Sequence, residues 1–155
     1  MSAKTLYRTA AVLLVLFSAG HTVGFLKFKP ATAEGLAVRD AMNNVHFPVG
    51  SSTFTYGGFY VGFGWFVTVY LLFAAYLAWH LGSLAAKSPA AIGGLGWMFF
   101  AAQLASLVLS IMYFFPAPAI FSGVVAACVG WAAWSGRPEP LGSIETSPME
   151  TLRQE

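Results

Sequence analysis

Polar and apolar positions in this 155-residue chain fall into long blocks: no Asp, Glu, Lys or Arg stands between Asp40 and Lys87, nor between Lys87 and Arg137. Burying one formal charge in hydrocarbon costs at least ~2.5 kcal/mol even on lenient insertion scales, so charge-free runs of this length mark segments that sit in lipid. A hydrocarbon core ~30 Å thick takes about 20 helical residues to cross. Four segments meet that length, over 6–26, 59–81, 91–114 and 117–134. The connection from Gly82 to Ala90 is short and holds Ser88-Pro89, and the turn Phe115-Pro116-Ala117-Pro118 is shorter still. Short links make spans two to four antiparallel neighbours, so the expected architecture is all-α, a membrane-embedded up-down four-helix bundle.

The long connection, Lys27 to Thr55, carries its own pattern. Thr32 is placed to cap a helix over 33–46, Glu34 complements that helix's N-terminus, and Val38, Ala41, Met42 and Val45 recur at helical spacing. The spacing predicts a short amphipathic helix in the first outer loop, lying over the mouth of the bundle with Arg39, Asp40 and Asn43 on its other side. Gly50-Ser51-Ser52-Thr53 reads as a flexible entry to the second span. Past the fourth span, residues 136–155 turn to Pro, Ser, Thr and Glu, with too few large apolar side chains to offset the entropy of ordering, and are expected to be disordered.

Composition agrees, with 57% hydrophobic and 9% charged residues against roughly 25% charged in soluble domains. The net charge of +2 comes from scattered basic residues, which excludes the Lys/Arg clusters that track nucleic-acid phosphates. The single Cys128 excludes an intrachain disulfide and reads as a packing residue. Lys4 and Arg8 ahead of the run from Ala10 to Phe17 resemble the start of a signal peptide, but the apolar character continues to Leu26, long enough for a retained span that doubles as targeting signal. Placing Lys4, Arg8, Lys87, Arg137 and Arg153 on the cytoplasmic side, opposite Lys27, Lys29 and Arg39, puts both termini in the cytoplasm. Trp79, Trp97, Trp131 and Trp134 fall at that inner interface, and Tyr56, Tyr60 and Tyr113 at the outer one.

Candidate chemistry is sparse. His21 is the ionisable side chain set well inside a span, a functional candidate by default. Gly20 and Gly24, and again Gly58 and Gly62, have the spacing that lets two helices approach closely. On the third span Gly96, Phe99, Gln103, Ser106, Ser110 and Tyr113 share one face, expected to look inward as hydrogen-bonding glue or as the wall of a polar cavity that includes Tyr60. The loop helix would bring His46, with Met42 one turn earlier, above that cavity. Two imidazoles and a thioether suit copper, zinc, iron or haem, so His21, His46 and Met42 are the candidate metal or haem ligands; the Cys pairs and His-x-x-x-His spacing of a closed site are absent. As an enzyme the chain would use His21 as acid or base, with His46, Arg39 and Asp40 orienting the head of a lipid or quinone-like substrate. It has no nucleophile elbow, carboxylate pair or phosphate loop, and the sequence names no cofactor.

Ala19-Gly20-His21-Thr22-Val23-Gly24-Phe25, Ala41-Met42-Asn43-Asn44-Val45-His46-Phe47, Phe59-Tyr60-Val61-Gly62-Phe63-Gly64 and the Phe-Phe-Pro-Ala-Pro turn at Phe114 to Pro118 together resemble small bacterial four-span membrane proteins, and the layout is similar to the DoxX-like group. That resemblance implies topology, a multi-pass place in the inner membrane, and no functional residue. The expected function is an integral membrane protein without self-contained catalysis: an accessory subunit, or a binder of an apolar ligand in the outer half of the bundle. Its partners would be the bilayer and other membrane subunits or a second copy, and not nucleic acid. The small-residue stripe Ala119, Gly123, Ala127 and Gly130 would then be left free for a partner helix.

Overall fold

The computed structural model describes residues 1–136, so the expectation for the tail, Gly136 apart, lies outside the described residues. The first long helix, α1 (Ala3–Lys27), starts where the Ser2 hydroxyl accepts the Thr5 N–H, and α2 (Ala33–Asn44) starts at the same kind of cap, Thr32 on Gly35. Two strands follow, β1 (His46–Val49) and β2 (Ser52–Thr55), and then α3 (Tyr56–Lys87), capped by Thr55 on Gly58. A single 3₁₀ turn at Pro89–Ala91 leads into α4 (Gly93–Tyr113), and Pro116 opens α5 (Pro116–Ser135). Proline suits a first helical turn because its missing N–H would have had no partner there.

The helices α1, α3, α4 and α5 are long and apolar enough to cross a membrane, and no more than 33% of the most apolar stretch of any of them is buried. A long apolar helix therefore stands at each of the four expected segments, though α3 is much longer than 59–81: at 32 residues it outruns its neighbours of 20 to 25.

Two expectations about the loop are corrected. The helix predicted over 33–46 ends at Asn44, and His46 opens a strand instead. Gly50-Ser51 is not a flexible entry but the two-residue turn of an antiparallel hairpin, with His46 paired to Thr55, Phe47 to Phe54, Pro48 to Thr53 and Val49 to Ser52. Gly50 sits at φ +60 while Ser51 does not take a positive φ, the arrangement that puts glycine first in a type II′ turn.

Packing joins α3 to α1, α1 to α5, and α5 to α4. Spans two and three were expected to be neighbours; instead α1 stands between α3 and α5, and α3 meets the next span chiefly through the 3₁₀ turn. Arg8 lies beside Ser83 and His21 beside Gly64, so α1 and α3 run antiparallel. Ser110 lies beside Ser122 and Phe100 beside Gly130, so α4 and α5 do too. The buried positions repeat at sevens: Tyr7, Leu14 and then half-buried His21 on α1, Gly57, Gly64 and Ala78 with Thr68, Ala75 and Gly82 on α3, and Gly96, Gln103 and Ser110 on α4. A seven-residue repeat is the seam pattern of helices packed side by side, and in lipid such seams favour small residues because van der Waals contact must do what water exclusion does elsewhere.

The glycines that permit this contact are not the predicted pairs. A Cβ on Gly20, Gly24 or Gly62 would meet nothing within 4 Å, and one on Gly58 only its own Thr55 cap. Gly64 instead admits the ring of Phe25 (2.7 Å from such a Cβ), Gly82 faces the Lys4 carbonyl (3.3 Å), Gly96 the Tyr7 hydroxyl (2.7 Å) and Gly130 the ring of Phe100 (2.6 Å). Tyr7 is wholly buried among these helices and its hydroxyl has no hydrogen-bond partner among the described residues.

Candidate functional site at the loop end

At the end of the molecule that carries α2 and the hairpin, a pocket of about 430 Å³ opens between three elements. The end of α1 and the residues after it supply Phe25, Leu26, Phe28 and Pro30; α2 supplies Gly35, Val38, Arg39, Met42 and Asn43; the start of α3 supplies Gly57, Tyr60 and Val61. Local sequence explains the shape. The Thr32 cap turns the chain back over α1, and Gly57 lets the Asn43 side chain and the Met42 carbonyl come against the first turn of α3. α2 packs on the start of α3, and Val38 and Met42 line the pocket together with Arg39 and Asn43, which were expected on the far side of the helix. Arg39, which lines the pocket, donates from Nη1 to the Phe28 carbonyl at 3.2 Å. A mostly apolar cleft with few polar groups at its rim is the usual form of a small-molecule site.

The other candidates are dispersed. His21 is half-buried and does not line the pocket; its Nε2–H donates to the Gly64 carbonyl at 3.0 Å, and its ring tilts onto Phe25 at 5.2 Å. Its neighbours continue the same polar seam. Thr68 donates to the Gly64 carbonyl at 3.1 Å, the hydroxyls of Thr22 and Thr68 are 2.9 Å apart, and Ser18 donates to the Thr68 carbonyl at 3.4 Å. His46 is exposed on the hairpin, with Nδ1–H donating to the Asn44 carbonyl at 2.8 Å, and Asp40 is exposed on α2. Neither histidine lies among the pocket residues, whereas Met42 does. Among the described residues no group of three or more His, Cys, Asp or Glu could hold a metal ion.

The polar face expected on α4 divides. Gly96, Phe99, Gln103 and Ser110 are buried, but Ser106 is exposed and bonds back to the Ala102 carbonyl, and Tyr113 is 70% exposed. The step from Gln103 to Ser110 follows the seven-residue seam, and Ser106 and Tyr113 fall off it. Ser110 and Ser122 bring their hydroxyls to 3.4 Å across the α4–α5 seam. No wall of the pocket comes from α4, so of the predicted set only Arg39, Tyr60 and Met42 meet in one place.

One feature went unread in the sequence. Phe47, Val49 and Phe54 share one hairpin face, and Phe47 continues onto Tyr56 (4.8 Å) and Phe59 (5.4 Å) of α3. Val49-Gly50-Ser51-Ser52 between runs holding Phe47 and Phe54 was the signal available for it. Comparisons with protein-family models, with curated proteins and with solved structures returned no match.

Proposed function

We propose that this chain is a multi-pass membrane protein, an up-down bundle of its four apolar helices, that binds an amphiphilic molecule in the loop-end pocket and carries out no catalysis of its own. The pocket is the observation that carries this reading: apolar walls for a hydrocarbon body, with the Arg39 guanidinium and the Asn43 amide at the rim for a polar head. Membrane embedding is supported by the helix surfaces, where Phe63, Phe66, Val69, Phe73 and Ile111 are all more than 60% exposed, an apolar area that water would not tolerate on a single chain. In this reading the chain sits in a bacterial inner membrane with both termini cytoplasmic, which puts the pocket at the outer face.

Of the two non-catalytic roles, ligand binding has the better support. On the α5 stripe proposed for a partner helix, Gly130 is filled by Phe100 of α4 and a Cβ on Gly123 would meet Leu107 at 3.7 Å, leaving Ala127 exposed. For acid or base catalysis His21 would have to face a cavity, and it is instead tied to a carbonyl. Mass spectrometry of the protein released gently from its membrane tests the proposal. Wild type is expected to retain about one amphiphile per chain, and Val38→Trp, which fills the pocket from α2, to lose it. An empty wild-type chain, equal retention by the variant, or a chain released from membranes by alkaline carbonate would overturn it.

A further inference from the structure

We infer that the opposite end of the α1–α3 pair is a second site, a groove that holds an anionic glycerophospholipid with its headgroup on Arg8. This inference shares the membrane reading but not the loop-end pocket. The groove, about 350 Å³, is walled by Ala11, Val12, Val15 and Leu16 of α1 and by Leu72, Ala75, Tyr76 and Trp79 of α3. Each wall is one helical stripe, and both stripes continue past the groove to a polar end: the α1 stripe to Arg8, the α3 stripe to Ser83. There the Arg8 guanidinium lies 3.4 Å from the centre of the Trp79 ring and donates from Nη2 to the Ser83 hydroxyl at 3.2 Å.

Three physical features select the ligand. The first is length: Arg8 to Leu16 rises about 12 Å along the helix, close to one leaflet of a ~30 Å hydrocarbon core. The groove's volume holds about a dozen groups at the ~30 Å³ a water-sized group occupies, which suits one acyl chain. The second is charge. Lys4, Arg8 and Lys87 lie at this end with no acidic side chain among the described residues, whereas at the other end Lys27, Lys29 and Arg39 are accompanied by Glu34 and Asp40 on α2. Basic groups between helices at a membrane surface are the usual receptors for anionic headgroups. The third is preorganisation. Ring stacking and the Ser83 bond fix the guanidinium plane, and Nε is buried without a partner among the described residues, which leaves the Nη groups as the atoms that meet a phosphate oxygen.

The test is native mass spectrometry of the full chain in detergent, offered equal amounts of phosphatidylglycerol and phosphatidylcholine with identical acyl chains. Wild type is expected to retain the anionic lipid about fivefold over the zwitterionic one, the ratio that ~1 kcal/mol per surface cation corresponds to. Arg8→Gln should bring that ratio close to one, Arg8→Lys, which keeps the charge but loses the stacked planar fork, should keep only part of it, and Lys27→Gln, at the far end of α1, should leave it unchanged. Val12→Trp, filling the groove from an exposed wall position, should lower total bound lipid. Equal retention of the two lipids by wild type, a preference that survives Arg8→Gln, an unchanged lipid load in Val12→Trp, or displacement of the lipid by inorganic phosphate alone would each overturn the inference. A molecule lost from Val38→Trp but kept by Val12→Trp belongs to the loop-end pocket, so the two sites fail separately.

Discussion

The α1–α3 seam and the α4–α5 seam join helices of similar apolarity by different means. Along α1 and α3, Ser18, His21, Thr22 and Thr68 form a ladder in which two side chains reach a backbone carbonyl of the opposite helix, beside close contacts at Gly64 and Gly82. Along α4 and α5, Ser110 and Ser122 bring their hydroxyls to 3.4 Å, and Gly130 receiving Phe100 supplies the fit. In the proposed lipid setting, where apolar surface gains nothing by leaving its solvent, these are the two available sources of cohesion, and the α1–α3 seam uses both. The polar seam also fixes register. A carbonyl acceptor such as that of Gly64 offers one position along the helix, whereas an aromatic ring in a glycine notch tolerates small slides.

The contrast is testable by unfolding in mixed micelles with rising dodecyl sulfate, read by helix circular dichroism. The largest loss is expected for Gly64→Leu, which strikes the Phe25 ring and displaces the acceptor of His21: near the upper end of the ~1–3 kcal/mol typical of overpacking. Gly130→Leu should cost less within that range, because Phe100 alone must move, and Phe100→Ala should relieve it; simple additivity of the two changes would show that the notch is not what joins α4 to α5. Thr68→Val removes a hydroxyl engaged with both Thr22 and Gly64 and should cost about 1 kcal/mol, within the range found for hydrogen bonds between membrane helices. Ser110→Ala should cost at most ~0.6 kcal/mol; a loss equal to that of Thr68→Val would erase the distinction between the seams. Smallest of all, Tyr7→Phe should leave stability unchanged or slightly raised, since the hydroxyl it removes is buried without a partner among the described residues.

How much of this was legible varies with the kind of signal. Apolar runs announce the helices directly, since a charge in the wrong place is so costly that its absence is informative. His21 was likewise visible as an ionisable residue out of place, but its partner is a main-chain oxygen, which every residue possesses and no sequence marks. The glycines misled because Gly20/Gly24 and Gly58/Gly62 match a familiar spacing while pointing away from the neighbouring helix. The seven-residue series through Gly57, Gly64 and Ala78 was equally present and would have found the seam. Arg39 and Tyr60 belong to the pocket as expected, but His46 left it because the chain exchanges helix for hairpin after Asn44, a choice made by Pro48 and Gly50 that helical periodicity alone does not register.

The length of α3 has a mechanical consequence. At 1.5 Å per residue its 32 residues reach about 48 Å, more than the ~30 Å of hydrocarbon and close to the ~40–45 Å of a bilayer with its headgroups. Tilting absorbs part of such an excess and the remainder protrudes, so in the proposed setting α3 acts as a thickness gauge. One end carries the hairpin and closes the pocket at Gly57 and Tyr60; the other carries Lys87 and the 3₁₀ turn. A thinner or thicker membrane changes the tilt at which this rod rests, and with it the angle between its first turn and α2, so the aperture over Arg39 follows the thickness of the surrounding bilayer.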